Sequence, residues 1–171
     1  MKKIAGIIVI ILAVTSSVFA KDLTGRFGAG FNSELNGNLT SLSAKYWLNQ
    51  TIGLQGLAGF CFATNLTIFD VGTKVYCNFL SEENMNLAFL CGAGLDINSV
   101  TAATVTTTTT TFRATTGIGF EYFLAGLPNL GFDTQLGLVF SSGGGTTLFG
   151  TTGAGFSSAV GLHYYFVKGS K

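Results

Sequence analysis

The residue types that could do chemistry in this chain are few, and their spacing decides what chemistry is open to them. A lone histidine, His163, would need a serine or cysteine and an acid nearby to activate a nucleophile. Its neighbour on the same face of an extended chain is Ser157, six residues away and about 20 Å along a strand. Hydrogen-bond reach is about 3 Å, so the local sequence forms no dyad and points away from an enzyme. Three cysteines, Cys61, Cys77 and Cys91, lie 16 and 14 residues apart. That spacing matches no metal-ligand motif, and none stands beside a histidine or a pair of acids, so neither a metal nor a cofactor is implied. What remains is a set of single charges, Arg26, Lys45, Asp70, Lys74, Asp96, Arg113, Glu121 and Asp133, four of each sign. If they share an interior, their chemistry is ion pairing, because a buried charge requires a partner.

The elements that carry these charges are strands. Of 171 residues, 47% are apolar, 24 are glycine, 16 are phenylalanine and only 10% are charged. A water-soluble domain carries about 25% charge, and a disordered one would be polar and charge-rich. Residues 1–20 begin with two lysines, continue in an apolar run from Ile4 to Val14 and end in Val18-Phe19-Ala20. This reads as a secretory signal peptide, the run being shorter than the ~20 residues of a membrane-spanning helix. Residues 21–171 are then the mature domain, with seven basic residues against eight acidic ones and no basic stripe for nucleic acid.

Beyond Ala20 the recurring period is two. Segments 22–31, 39–48, 51–62, 66–80, 87–97, 110–124, 130–141 and 151–167 are separated by turn-forming residues such as Asn36-Gly37, Pro128-Asn129 and Gly143 to Gly145. One face of these segments is apolar throughout, as in Leu23, Phe27, Ala29, Phe31 or Ile52, Leu54, Ala58, Phe60, Phe62. The other is glycine, serine and threonine, and it holds all eight charges and His163. A soluble barrel puts its apolar face inside. Here that face is too large and aromatic, and the polar face too poor in charge, for the polar face to meet water. Lipid demands the opposite, an apolar exterior on a closed sheet without edges. The expected fold is all-β, an eight-stranded antiparallel up-and-down transmembrane β-barrel. Tyr46, Trp47, Phe79, Tyr122, Phe132, Tyr164 and Phe166 near one set of turns, and Phe31, Phe60, Phe62, Phe112, Phe140 and Phe156 near the other, are placed as two interfacial girdles.

The C-terminal run Val160-Gly161-Leu162-His163-Tyr164-Tyr165-Phe166 resembles the terminal-strand signal of bacterial outer-membrane β-barrel proteins, with Val160, Leu162, Tyr164 and Phe166 on the signal face. It departs from that signal in the five residues, Val167 to Lys171, that follow the aromatic. Tyr46 to Leu54 likewise resembles a short periplasmic hairpin of the small eight-stranded barrels, the group that includes outer membrane protein A and its relatives X and W. The resemblance implies location in the bacterial outer membrane and periplasmic termini. The implied partners are outer-membrane lipid, with periplasmic chaperones and the barrel-assembly machinery during biogenesis, and the protein is expected to be a monomer. The outward loops are then 32–38, 63–65, 98–109 and 142–150, and the Thr-rich third hairpin is expected to protrude.

Folding about the 81–86 turn is expected to set Lys74 opposite Gly94 and diagonal to Asp96, and Cys77 nearly opposite Cys91, where a cross-strand disulfide could form. Folding about residue 127 sets Glu121 opposite Asp133, an acid pair that needs a cation. The leading expectation is a structural or surface-interaction role with an ion-pair network plugging the lumen. The alternatives are a narrow channel for ions or small solutes and, more remotely, a lipid-modifying enzyme of the kind known among small outer-membrane barrels.

Overall fold

The computed structural model describes residues 21–34, 39–151 and 159–166; the expected signal peptide, Ser157, Phe156 and the five residues after Phe166 lie outside them. The strands are β1 (Phe27–Glu34), β2 (Leu39–Trp47), β3 (Ile52–Ala63), β4 (Leu66–Glu82), β5 (Met85–Ala102), β6 (Val105–Leu124), β7 (Leu127–Gly143), β8 (Thr146–Thr151) and β9 (Ala159–Tyr165). Each pairs antiparallel with its sequence neighbour from β1 through β8. β8 covers the upper part of the β7 edge, Leu138 to Gly143, and β9 the lower part, Leu130 to Gln135. The two therefore share the eighth position, and β9 closes the ring on β1. Among the described residues every strand but β8 is paired on both sides, as a sheet buried in lipid requires.

Two-residue turns produce most of this order. Glu82 pairs Met85, Ala102 pairs Val105, and Leu124 pairs Leu127. At the β2–β3 turn the Asn49 Oδ1 accepts the Thr51 and Ile52 amides at 2.8 and 2.7 Å, holding the chain in an Asx turn.

Along every barrel strand the apolar residues alternate outward. Phe31, Phe60, Phe89 and Leu136 are each more than half exposed, while Lys45, Asp70, Lys74, Asp96, Glu121, Asp133 and His163 are buried on the inner face. Two residues reverse the expected direction. Trp47, expected in a girdle, is buried in the lumen, and Leu23, expected on the apolar face, is buried with it. Leu23 precedes β1, and Gly25, at φ +69°, turns the chain between them, so strand alternation does not apply. Trp47 has the inward phase of Lys45, two residues earlier.

The register of β4 on β5 also differs from expectation. A bulge between Asn78 and Leu80 leaves Phe79 without a partner, shifting every pair beyond it. The tight Glu82–Met85 turn and the bulge each move the register by one residue, so Lys74 lies opposite Gly92, not Gly94, and Asp96 lies opposite Asp70. Cys77 pairs Phe89 and Cys91 pairs Val75, so the two thiols are offset and all three cysteines are free.

Candidate functional site in the barrel lumen

The inner face is organised in layers. At the end where β2 meets β3, Leu23, Trp47, Tyr76, Ala88, Leu90, Phe123 and Tyr165 form an apolar cluster across the bore. Glycines make room for the two largest rings. A Cβ on Gly53, the register partner of Trp47, would lie 2.8 Å from the indole, and one on Gly28, the partner of Tyr165, would lie 2.8 Å from the phenol. The rings thus lie over cross-strand backbone inside the lumen. Lys21 covers this end, its ammonium 3.9 Å from the centre of the Phe123 ring. Burial, followed by the charge of Arg26, holds Lys21 below its ordinary value.

Above the aromatic layer lies the ion pair. Glu121 and Asp133 are register partners, as the short β6–β7 turn implies, and Lys45 reaches both from across the barrel. Its Nζ is 3.1 Å from Glu121 Oε1 and 3.0 Å from Asp133 Oδ2. The ammonium also stands 4.8 Å from the Tyr76 ring centre. Tyr165 donates its hydroxyl to Glu121 Oε1 at 2.7 Å, and Trp47 Nε1 donates to Tyr165 at 3.3 Å, tying the aromatic layer to the charges. Asp133 Oδ1 accepts from Gln135 at 3.1 Å and Asn32 at 3.3 Å. Tyr76 donates to Gln55 Oε1 and accepts from Gln135 Nε2 at 2.9 Å, and Lys74 donates to Gln135 Oε1 at 2.7 Å. One network therefore joins β1, β2, β3, β4, β6, β7 and β9.

His163 belongs to it. Its Nε2 is 2.7 Å from Ser43 Oγ and its Nδ1 is 2.9 Å from Asp133 Oδ2, so the serine that sequence spacing failed to supply comes from β2. The order serine, histidine, aspartate is that of a nucleophilic triad. Its setting is different. Ser43 Oγ also accepts from Gln55 Nε2 at 2.7 Å, and His163 is wholly buried. Of the three, only Asp133 lines a nearby lumen cavity, one of about 10 Å³, and neither Ser43 nor His163 lines that one or the cavity of about 40 Å³; spaces of that size hold one or a few waters. The three residues thus stand in one buried row, Ser43 within hydrogen-bond distance of His163 and His163 within ion-pair distance of Asp133. Glu121, Asp133 and His163 also bring three metal-ligating atoms within 4.8 Å of one another, but the Lys45 ammonium already supplies the positive charge at that point.

Toward the other end of the bore the side chains are smaller. The 40 Å³ cavity is lined by Ser41, Leu57, Asp70, Thr73, Lys74, Asp96, Arg113 and Thr115. Arg113 pairs with Asp96 from the adjacent strand. Arg26 stands apart from both groups, donating from the barrel's end to Asn129 Oδ1 at 3.3 Å. Of the eight charges in the sequence, three thus form the central cluster, Lys45 with Glu121 and Asp133, four surround the cavity and one caps the end. Missed by sequence reasoning were Ser43, Gln55, Tyr76, Gln135 and Tyr165. The glycines opposite Trp47 and Tyr165 were the available signal for the aromatic layer.

No protein-family model matches the chain, and no curated protein matches it in sequence. Among solved structures it is similar to the N-terminal β-barrel domain of Pseudomonas aeruginosa OprF. The TM-score is 0.59 and the identity 13%, over 82% of this chain and 96% of that one. Neisserial surface protein A aligns with TM-score 0.46 and 13% identity over 82% of this chain and 94% of that one. Ail of Yersinia pestis aligns with TM-score 0.45 and 17% identity over the same shares. The OprF alignment and the closed ring together show the fold, that of the small eight-stranded outer-membrane β-barrels.

Proposed function

We propose that this protein is a closed, non-conducting and non-catalytic barrel of the bacterial outer membrane whose work is done at the cell surface. The observation that supports the reading is the buried layer of Trp47, Tyr165 and Phe123 beneath the Lys45, Glu121 and Asp133 network. Eight strands enclose a space that side chains can fill, and here they do so with fully buried groups. A channel would need a polar path past the aromatic layer.

Material not absorbed by the bore lies in the β5–β6 hairpin. A transmembrane strand needs about 9–11 residues, whereas β5 has 18 and β6 has 20. Termini on the periplasmic side put the excess outside the cell. OprF offers support for the fold alone; the surface role rests on the plug and the hairpin. The test is limited proteolysis of intact cells. Cleavage at an engineered protease site replacing Ala103 and Thr104 is expected, with the heat-dependent gel shift of a closed barrel retained. Resistance of that site in intact cells, with cleavage after the outer membrane is opened, would overturn the reading.

A further inference from the structure

Three residues around one small lumen cavity carry buried polar atoms that find no hydrogen-bond partner among the described residues. The atoms are Glu121 Oε2, Asn78 Oδ1 and both Oδ1 and Nδ2 of Asn86. The cavity, of about 10 Å³, lies between the aromatic layer and the charges. Strand register brings the three together, since Asn86 of β5 pairs directly with Glu121 of β6, and Asn78 of β4 pairs with Ala88, two residues along from Asn86. Asn86 is only 3% exposed, and a buried amide without a partner carries its full desolvation penalty. Two of the three oxygens are acceptors only. A carboxylate oxygen cannot donate, and Asn78 spends its Nδ2 on the Gln50 carbonyl at 3.0 Å, which leaves Oδ1 as the free end of that amide. The Asn86 amide is free to present either end.

Charge decides what suits these oxygens. Lys45 gives its ammonium to Glu121 Oε1 and Asp133 Oδ2, one positive charge against two carboxylates. His163 adds none. Lys74 donates to Gln135, Gln135 to Tyr76, Tyr76 to Gln55 and Gln55 to Ser43 Oγ. The Ser43 hydroxyl hydrogen is then left for His163 Nε2, 2.7 Å away, and an imidazole with an accepting nitrogen is neutral. Asp70, Lys74, Asp96 and Arg113, around the other cavity, are two of each sign. Lys21 feels the charge of Glu121 but holds its ammonium over the Phe123 ring, and Arg26 is bonded to Asn129. The central cluster therefore carries one negative charge in excess, and its free carboxylate oxygen is Glu121 Oε2. A water would satisfy the hydrogen bonds and leave that charge buried without a counter-charge, which is the costly arrangement.

We infer that Glu121, Asn86 and Asn78 form a site for one monovalent cation of about the size of water, ammonium or potassium. The cavity is about one water in size. Ammonium would donate one N–H to each of the three oxygens, and potassium has nearly its radius. Trp47 and Tyr76 line the same cavity, and aromatic faces attract a cation. A divalent ion would overcompensate the single excess charge and demands more oxygens than these three. Asn78, half-buried and bonded to the exposed Gln50 of the β2–β3 turn, is the ligand nearest the aqueous end. The site stands apart from the proposed surface role and does not depend on it.

The test uses the full chain in lipid nanodiscs and thallium(I) nitrate, an ion of potassium's size that quenches indole fluorescence on contact. Trp47, the single tryptophan, lines the cavity and reports on it. With ionic strength held constant by lithium nitrate, saturable quenching is expected, reversed by potassium and ammonium nitrate. Asn86→Leu keeps the bulk of the side chain without its polar atoms and is expected to weaken thallium binding about tenfold or more. Asn86→Asp supplies carboxylate oxygens and is expected to bind at least as tightly as the parent. If Asn86→Leu loses the heat-dependent gel shift, Asn78→Ala is read in its place, with the same loss expected. Absence of saturable quenching in the parent would assign the cavity to a water molecule and overturn the proposal. Equal quenching in a variant that lacks the Asn86 or Asn78 oxygen and keeps the gel shift would overturn it too. Quenching that appears only in Lys21→Met would make the Lys21 ammonium the counter-charge of Glu121, and would overturn it as well.

Discussion

At the end of the bore beside the β2–β3 turn, Trp47, Phe123 and Tyr165 are each at most 1% exposed, and three charges share one hydrogen-bonded network. Toward the opposite end, Asp70, Asp96, Lys74 and Arg113 surround a cavity of about 40 Å³ instead of filling it, and the strands continue into a threonine ribbon with a bare edge. Both regions obey the same alternation along the same strands. Side-chain size separates them: large rings lie over Gly28 and Gly53 in the first, while serine, threonine and glycine dominate the inner face of the second. The first region therefore packs large buried side chains into the bore, and the second leaves space within it.

The comparison is broken most directly at Lys45. Lys45→Met leaves Glu121 and Asp133 facing each other without their cation and is expected to cost about 3–5 kcal/mol, read as a lowered urea midpoint in vesicles. Combining it with Glu121→Gln and Asp133→Asn removes the unpaired acids, and most of the loss should return. Trp47→Ala follows, with a loss of about 3 kcal/mol for an emptied aromatic site. Because Trp47 is the single tryptophan, that variant is followed by circular dichroism. Arg113→Ala breaks the pair with Asp96 beside the cavity, where water can replace part of the bond, and about 1 kcal/mol is expected. Thr108→Ala on the ribbon should change stability by less than about 0.5 kcal/mol. If Arg113→Ala cost as much as Lys45→Met, the two regions would not differ in the way described.

The period of two was sufficient to orient the charges. Lys45, Asp70, Lys74, Asp96, Glu121, Asp133 and His163 all face the bore as the alternation implies, and the short β6–β7 turn made the Glu121 and Asp133 pairing legible. Register elsewhere was less accessible, since the bulge at Phe79 carries no turn residue or glycine to announce it. Together with the tight Glu82–Met85 turn, it moved Lys74 from Gly94 to Gly92 and offset Cys77 from Cys91. The partners of the central network were beyond local reasoning. Ser43 and His163 are 120 residues apart, and Lys45 and Asp133 are 88 apart, brought together only when β9 closes on β1. Trp47 was misplaced because an aromatic near a turn fits either an interfacial girdle or a plug, and its phase with Lys45 was the deciding sign. The third hairpin, expected as a loop over 98–109, proved to be ordered strand to Ala102 and from Val105, because β-branched threonines extend the ladder.

The account's central claim is that the aromatic layer and the Lys45 network seal the bore, and conductance of the purified, refolded protein in planar lipid bilayers tests it most directly. The parent chain should show no steady single-channel current, and a Trp47→Ala, Phe123→Ala, Tyr165→Ala variant that retains the heat-dependent gel shift should show one. Steady conduction by the parent chain, unchanged when these three rings are removed, would contradict it.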